Sequence, residues 1–164
     1  MNKKYYHLIV LFIVLLGCSN PTDVNYLDII KSYPDYEYEN TNHLPQFTYA
    51  DSSDVNLVAL KDTFNLEEIA GKGDEISQIV NLMEWVHTTI RHDGSSQNPY
   101  PRNTFNIIKV CKEENRGVNC RMLAIVLNEI YLSCGFKSRY VTCKPAEKDF
   151  DDCHVINSVY SYQL

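Results

Sequence analysis

This sequence predicts an α+β domain, on two observations. Helical periodicity with capping residues fills residues 54–133, and two alternating, β-branched segments follow at 138–143 and 153–160. Helices that precede a hairpin, rather than alternating with strands, are the order of an α+β domain. The 164 residues allow one such domain and not two full cores. A hydrophobic content of 45% is too high for a wholly disordered chain, and there is no internal repeat.

Residues 54–64 read as a short helix with Val55, Val58 and Leu60 as its apolar contacts, and Gly71 and Gly73 then interrupt the chain. Asp74 caps an amphipathic helix that runs to about residue 91, on which Ile76, Ile79, Val80, Met83, Val86 and Ile90 recur at i, i+3, i+4 spacing. Trp85 lies near that stripe and is assigned to the core. The turn at 91–94 (RHDG) reads as a helix end whose cations suit the C-terminal dipole, in preference to a groove border. Residues 94–103 are a loop, and 104–114 a helix with Ile107, Ile108 and Cys111 inward. Asn119 and Cys120 open the next helix, to about residue 133, with Leu123, Ala124, Leu127 and Ile130 buried; Gly135 stops it. Segments 138–143 (SRYVTC) and 153–160 (CHVINSVY) read as strands, and 144–152, with Pro145 and four acids, as the hairpin loop.

The N-terminus reads as an address. Lys3 and Lys4 precede an unbroken apolar run of nine residues, 8–16, which is too short for a bilayer span of about 20 residues. It has the length of a signal-peptide core. The run ends in Leu15-Leu16-Gly17-Cys18, which resembles a bacterial lipobox, and Cys18 is the expected lipidation site. Acyl chains there hold a mature protein on a membrane surface, which places it in the bacterial cell envelope on the outer or cytoplasmic membrane. Residues 1–17 are thus a lipoprotein signal peptide, 18–53 an N-terminal tether and 54–164 the folded domain. The tether is rich in Asn, Asp, Pro and Tyr, and Tyr26, Tyr33, Tyr36, Tyr38 and Tyr49 are expected to pack on the domain rather than bind glycan.

The net charge is −6, and losing residues 1–17 removes two lysines and no acid, giving −8. With no basic run to contact phosphates, nucleic acid is excluded as a partner. Of the six cysteines, Cys143 and Cys153 flank the hairpin and are candidates for a bridge across it. No C-x-x-C pair occurs, and His87 and His92 do not share a helix face. A zinc set drawn from His87, His92, Cys120 and His154 is therefore disfavoured, and no metal or cofactor is expected.

Cys120 stands at a predicted helix start, where the macrodipole and unpaired N–H groups stabilise a thiolate and an oxyanion. His154 begins a strand after a polar loop and is placed to act as base, then as acid toward a leaving amine. On residue pattern alone, a buried structural Cys120 and a catalytic one stand level.

Local sequence adds a resemblance. Residues 117–124 (GVNCRMLA) resemble the nucleophile motif of the transglutaminase-like superfamily, with a Gly, the Cys and a helix bearing Ala four residues on. Residues 134–141 (CGFKSRYV) are similar to its Gly-x-x-(Ala/Ser)-Arg-x-Val segment, 152–160 (DCHVINSVY) to its histidine strand, and 83–87 (MEWVH) to its Trp-Val helix. The resemblance covers about residue 54 to the end. It implies a papain-like α+β fold, with the nucleophile helix packed on an antiparallel sheet that carries the histidine. It also implies thiol-based acyl transfer on peptide or protein amides, by hydrolysis or transamidation, with Cys120 as nucleophile and His154 as base. Such relatives normally carry an Asp on the strand after the histidine. This sequence stops ten residues past His154, so the sheet is expected to be incomplete at its C-terminus and turnover impaired. Asn157 points to the opposite strand face from His154, and Asp149, Asp151 and Asp152 of the preceding loop are the remaining substitutes. Val155 and Ile156 stand where many relatives have a small residue and an aromatic one. Asn119 is the candidate for a second oxyanion donor. A non-catalytic lipoprotein that binds peptide or glycan in the same groove is the competing reading.

Overall fold

Side-chain caps decide where the helices begin. The computed structural model describes residues 26–32, 47–145 and 153–163; the leader, Cys18, Tyr33, Tyr36, Tyr38, Asp149, Asp151 and Asp152 lie outside the described residues. The chain divides into two units, 1–46 and 47–164. In the first, helix α1 (Tyr26–Ser32) falls within the segment read as a tether.

The second unit carries the core. Asp54 caps α2 (Val55–Phe64) by accepting from the N–H groups of Asn56 and Leu57. Asn65, left-handed at φ 52°, ends α2 and starts the short α3 (Leu66–Ala70). Asp74 caps α4 (Glu75–Thr89), and Asn103 caps α5 (Thr104–Glu113). Asn119 caps α6 (Cys120–Ser133), its side chain accepting from the Met122 N–H. Each cap satisfies amides that a helix start leaves without an intrahelical partner.

Helix α6 is the hub. It contacts α2, α4, α5 and both strands, and none of its residues is exposed. Met122, Val126 and Ile130 are fully buried against Leu60, Leu66, Leu82, Ile90 and Ile107. Its apolar residues outnumber its polar ones, and such a helix belongs largely in an interior. Its exit is fixed by a Schellman turn: Phe136 N–H donates to the Tyr131 carbonyl and Gly135 N–H to that of Leu132, with Gly135 at φ +85°. The Tyr131 and Phe136 rings meet edge to face at 6.2 Å, the apolar contact typical of that turn.

That turn launches β1 (Ser138–Cys143), which pairs antiparallel with β2 (His154–Val159) from Ser138↔Val159 to Cys143↔His154. Val155, Asn157 and Val159 are the more buried residues of β2, and Asn157 donates to the Ala124 carbonyl on α6. Past β2, the Ser161 hydroxyl and Tyr162 N–H donate to Glu75, while the Gln163 side chain accepts from the Ile76 N–H. The chain end is thereby tied to the start of α4.

The helix faces differ from the sequence reading in rotation. On α2, Leu57 and Leu60 are buried, whereas Val55 is 75% exposed. On α4, the buried residues are Leu82 and Val86, with Ile90 just past the helix end, and Val80 and Met83 face outward. Both helices have several apolar residues off the buried stripe, and packing on α6 chooses which stripe goes inward. Leu123 and Leu127, expected to be buried, are half-buried, and Met122 and Val126 lie deeper. Trp85 packs on the core, its ring 5.5 Å from that of Phe64.

The approach to α6 is held by a backbone bridge. Val118 N–H donates to the Arg91 carbonyl at 3.0 Å, and Asp93 N–H donates to the Val118 carbonyl at 2.8 Å. A Cβ on Gly117 would sit 2.5 Å from the Arg91 carbonyl oxygen and 2.8 Å from Asp93 Cβ. Gly117→Ala is therefore expected to lower the unfolding free energy by about 1–3 kcal/mol, as overpacking does. Gly94→Ala, whose Cβ would have only the His92 ring at 3.8 Å, is the comparison, expected to change stability by no more than about 0.5 kcal/mol. Urea melts of the two variants check this, and equal midpoints would contradict it.

Candidate active site

The bridge and the caps together shape the start of α6. Cys120 is its first residue and is half-buried. Leu123 N–H donates to the Asn119 carbonyl and Met122 N–H to the Asn119 side chain. The amides of Cys120 and Arg121 have no partner among the described residues. They are two donors at the positive end of a fourteen-residue helix, beside the thiol.

A cleft of about 630 Å³ opens at this point. The α6 start contributes Asn119, Cys120 and Arg121, and the turn after α4 contributes His92 and Gly94. The hairpin supplies Cys143, Lys144, Pro145, Cys153, His154 and Val155. Cys120 and His154, singled out from sequence, thus line one cavity. His154 is exposed at the first position of β2, with Cys143 directly across the ladder. Asn119, the candidate oxyanion donor, instead has its oxygen on the Met122 amide and its Nδ2 on the Asn98 side chain at 2.7 Å.

One turn was misread. His92 and Gly94 border the cleft, although the 91–94 turn reads in sequence as a plain helix end. α4 stops at Thr89, and the bridge to Val118 carries the following residues across to the start of α6. No local pattern marks that bridge except Gly117, whose missing side chain permits it. His87, on α4, is not among the lining residues. Among the described residues no group of three or more His, Cys, Asp or Glu is arranged to hold a metal ion.

The bridge considered between Cys143 and Cys153 is not formed: neither is in a disulfide. The register sets Cys143 opposite His154, and Cys153 lies one step beyond that pair. Cys111 and Cys134 are also thiols, and burial pushes both above the ordinary thiol range. Their protonated, unreactive form is therefore favoured until the pH rises past that range. Treatment of the folded protein with iodoacetamide near pH 8 is expected to label the exposed Cys143 well before Cys111 or Cys134. Peptide mapping by mass spectrometry checks the order, and early labelling of Cys111 would mean that the core is open.

Comparison with known proteins agrees with the geometry. A sequence model of the transglutaminase-like superfamily matches residues 63–163. No curated protein and no solved structure matches the chain. The matched span is more than half of the sequence and includes both strands, all of α6, and the Cys120 and His154 positions. The chain belongs to the transglutaminase-like superfamily.

Proposed function

We propose that this chain is a cell-envelope lipoprotein whose domain, of papain-like arrangement, transfers acyl groups from peptide or protein amides through a cysteine thioester. The observation that carries this reading is the single cleft lined by Cys120 at a helix start and His154 at a strand start. In this scheme His154 takes the thiol proton as the Cys120 sulfur attacks the amide carbonyl. The Cys120 amide, unpartnered among the described residues, hydrogen-bonds the oxyanion that forms. The tetrahedral adduct collapses to a thioester as His154 passes the proton to the leaving amine. Water or a second amine, deprotonated by His154, then attacks the thioester and releases the thiol.

Among the described residues no carboxylate bonds to His154. In triads of this kind the orienting carboxylate fixes the imidazole tautomer, and losing it costs about 10⁴-fold in turnover. The second reading, in which the cleft holds a peptide or glycan without processing it, follows if none of Asp149, Asp151 and Asp152 takes that place.

Thiol chemistry separates the two readings. At pH 6, iodoacetamide is expected to alkylate Cys120 faster than Cys143, and His154→Ala to slow Cys120 by at least about tenfold. A Cys120 that reacts no faster than Cys143, or that ignores the loss of His154, would leave only the binding reading. The anchor is tested separately. Cells fed labelled palmitate are expected to yield labelled, membrane-associated protein, and Cys18→Ser to lose both the label and the membrane association. Label that persists in Cys18→Ser would sink the lipoprotein assignment.

A further inference from the structure

Among the described residues the half-buried lysine and arginine side chains are Lys61, Arg116, Arg121 and Arg139. Lys61 is paired with Glu67 at 3.0 Å. Arg116 is paired with Glu114 and donates to Ser96 and to the Gln97 carbonyl. The Arg139 guanidinium lies 4.1 Å from the centre of the Phe47 ring. Arg121 has no ion pair, hydrogen bond or ring contact among the described residues. It lines the cleft, directly after Cys120. A guanidinium carries five N–H donors, and none of those of Arg121 has a protein acceptor among the described residues.

The described lining of the cleft carries Lys144 as a second cation and neither Asp nor Glu, in a chain whose net charge is −6. Glu147, Asp149, Asp151 and Asp152 belong to the loop segment outside the described residues. Among the described residues the cleft thus presents two cations and no carboxylate to pair with them. A carboxylate is the anion that a peptide offers, and it matches the guanidinium fork with two parallel hydrogen bonds.

We propose that Arg121, assisted by Lys144, selects an acyl donor that carries a carboxylate close to its scissile amide. The substrates are then acidic peptides, or peptides cleaved next to a free carboxyl group. The proposal rests on the reading of Cys120 as nucleophile and adds a specificity residue to it.

Two small alkylating agents test it without a known substrate. Iodoacetate and iodoacetamide deliver the same carbon to the same sulfur and differ in a carboxylate against an amide. The ratio of their rates at Cys120 is expected to exceed the ratio at free glutathione in the same buffer. Arg121→Gln should lower the Cys120 ratio by about tenfold, the size of one charge-assisted hydrogen bond, while Arg121→Lys keeps part of it. Unchanged thermal unfolding and circular dichroism of the variants would exclude misfolding as the cause. Equal slowing of both reagents in Arg121→Gln would mean that Arg121 acts only on the thiol, and would overturn the proposal while leaving the nucleophile intact. A Cys120 inert to both reagents in the unmodified protein would overturn the nucleophile reading and this one together.

Discussion

Two backbone hydrogen bonds between residues 91–93 and Val118 decide where the cleft of this domain lies. Through them the segment leaving α4 lies beside the segment entering α6, so that His92 and the first turn of α6 share one cleft. The approach leaves no space for a side chain at Gly117, three residues before Cys120. The glycine serves close backbone contact here, and the contact fixes the direction in which the next helix starts. Asn119 then supplies the cap. Its second bond, to Asn98, ties the same helix start to the loop at 94–103. The thiol is therefore presented from a helix end held on two sides, which limits its motion more than a loop position would.

Burial of α6 on every side explains how the rest of the domain follows. The helix core is made of Met122, Val126 and Ile130, and α2, α4 and α5 each turn a stripe of apolar residues onto it. Its far end passes through the Gly135 turn straight into β1. The hairpin returns along the same helix, and Asn157 satisfies the Ala124 carbonyl. Cys120 at one end and the hairpin launched from the other are thus joined through α6. The length of α6 and the register of the hairpin set the distance between Cys120 and His154.

The sequence was most legible where one residue has one physical use. Asp54, Asp74 and Asn119 announced helix starts, Gly135 a helix stop, and the alternation after Ser138 a hairpin. Cys120 and His154 were visible through the motifs around them. Helix rotation was poorly legible. Val58, Val80 and Met83 are as apolar as the residues that went inward, and only contact with α6 distinguishes Leu57 and Leu82 from them. The α3 turn was missed because it depends on Asn65 accepting a left-handed conformation, which hydrophobic spacing does not encode. His92 was hidden for a related reason. Its place in the cleft comes from pairing between segments far apart in sequence, and the residues on either side of it read as an ordinary helix end.

The hairpin also explains why the imidazole is the less constrained half of the site. Polar groups on the inner face of β2 are committed to α6: Asn157, the nearest amide along the strand, gives its N–H to Ala124. His154 has the opposite parity, so nothing that stabilises the hairpin on the helix also orients its ring. Its cross-strand neighbour is Cys143, a weak hydrogen-bonding partner. If His154 is the base, as proposed, its orientation comes from groups outside the α6 contact or from the substrate itself. A carboxylate bound at Arg121 would bring a substrate amide against Cys120 from the helix side, and the ring would meet it from the strand side. Under the proposed reading, substrate binding and alignment of the base are a single event, and such a cleft discriminates among acyl donors by how well they complete it.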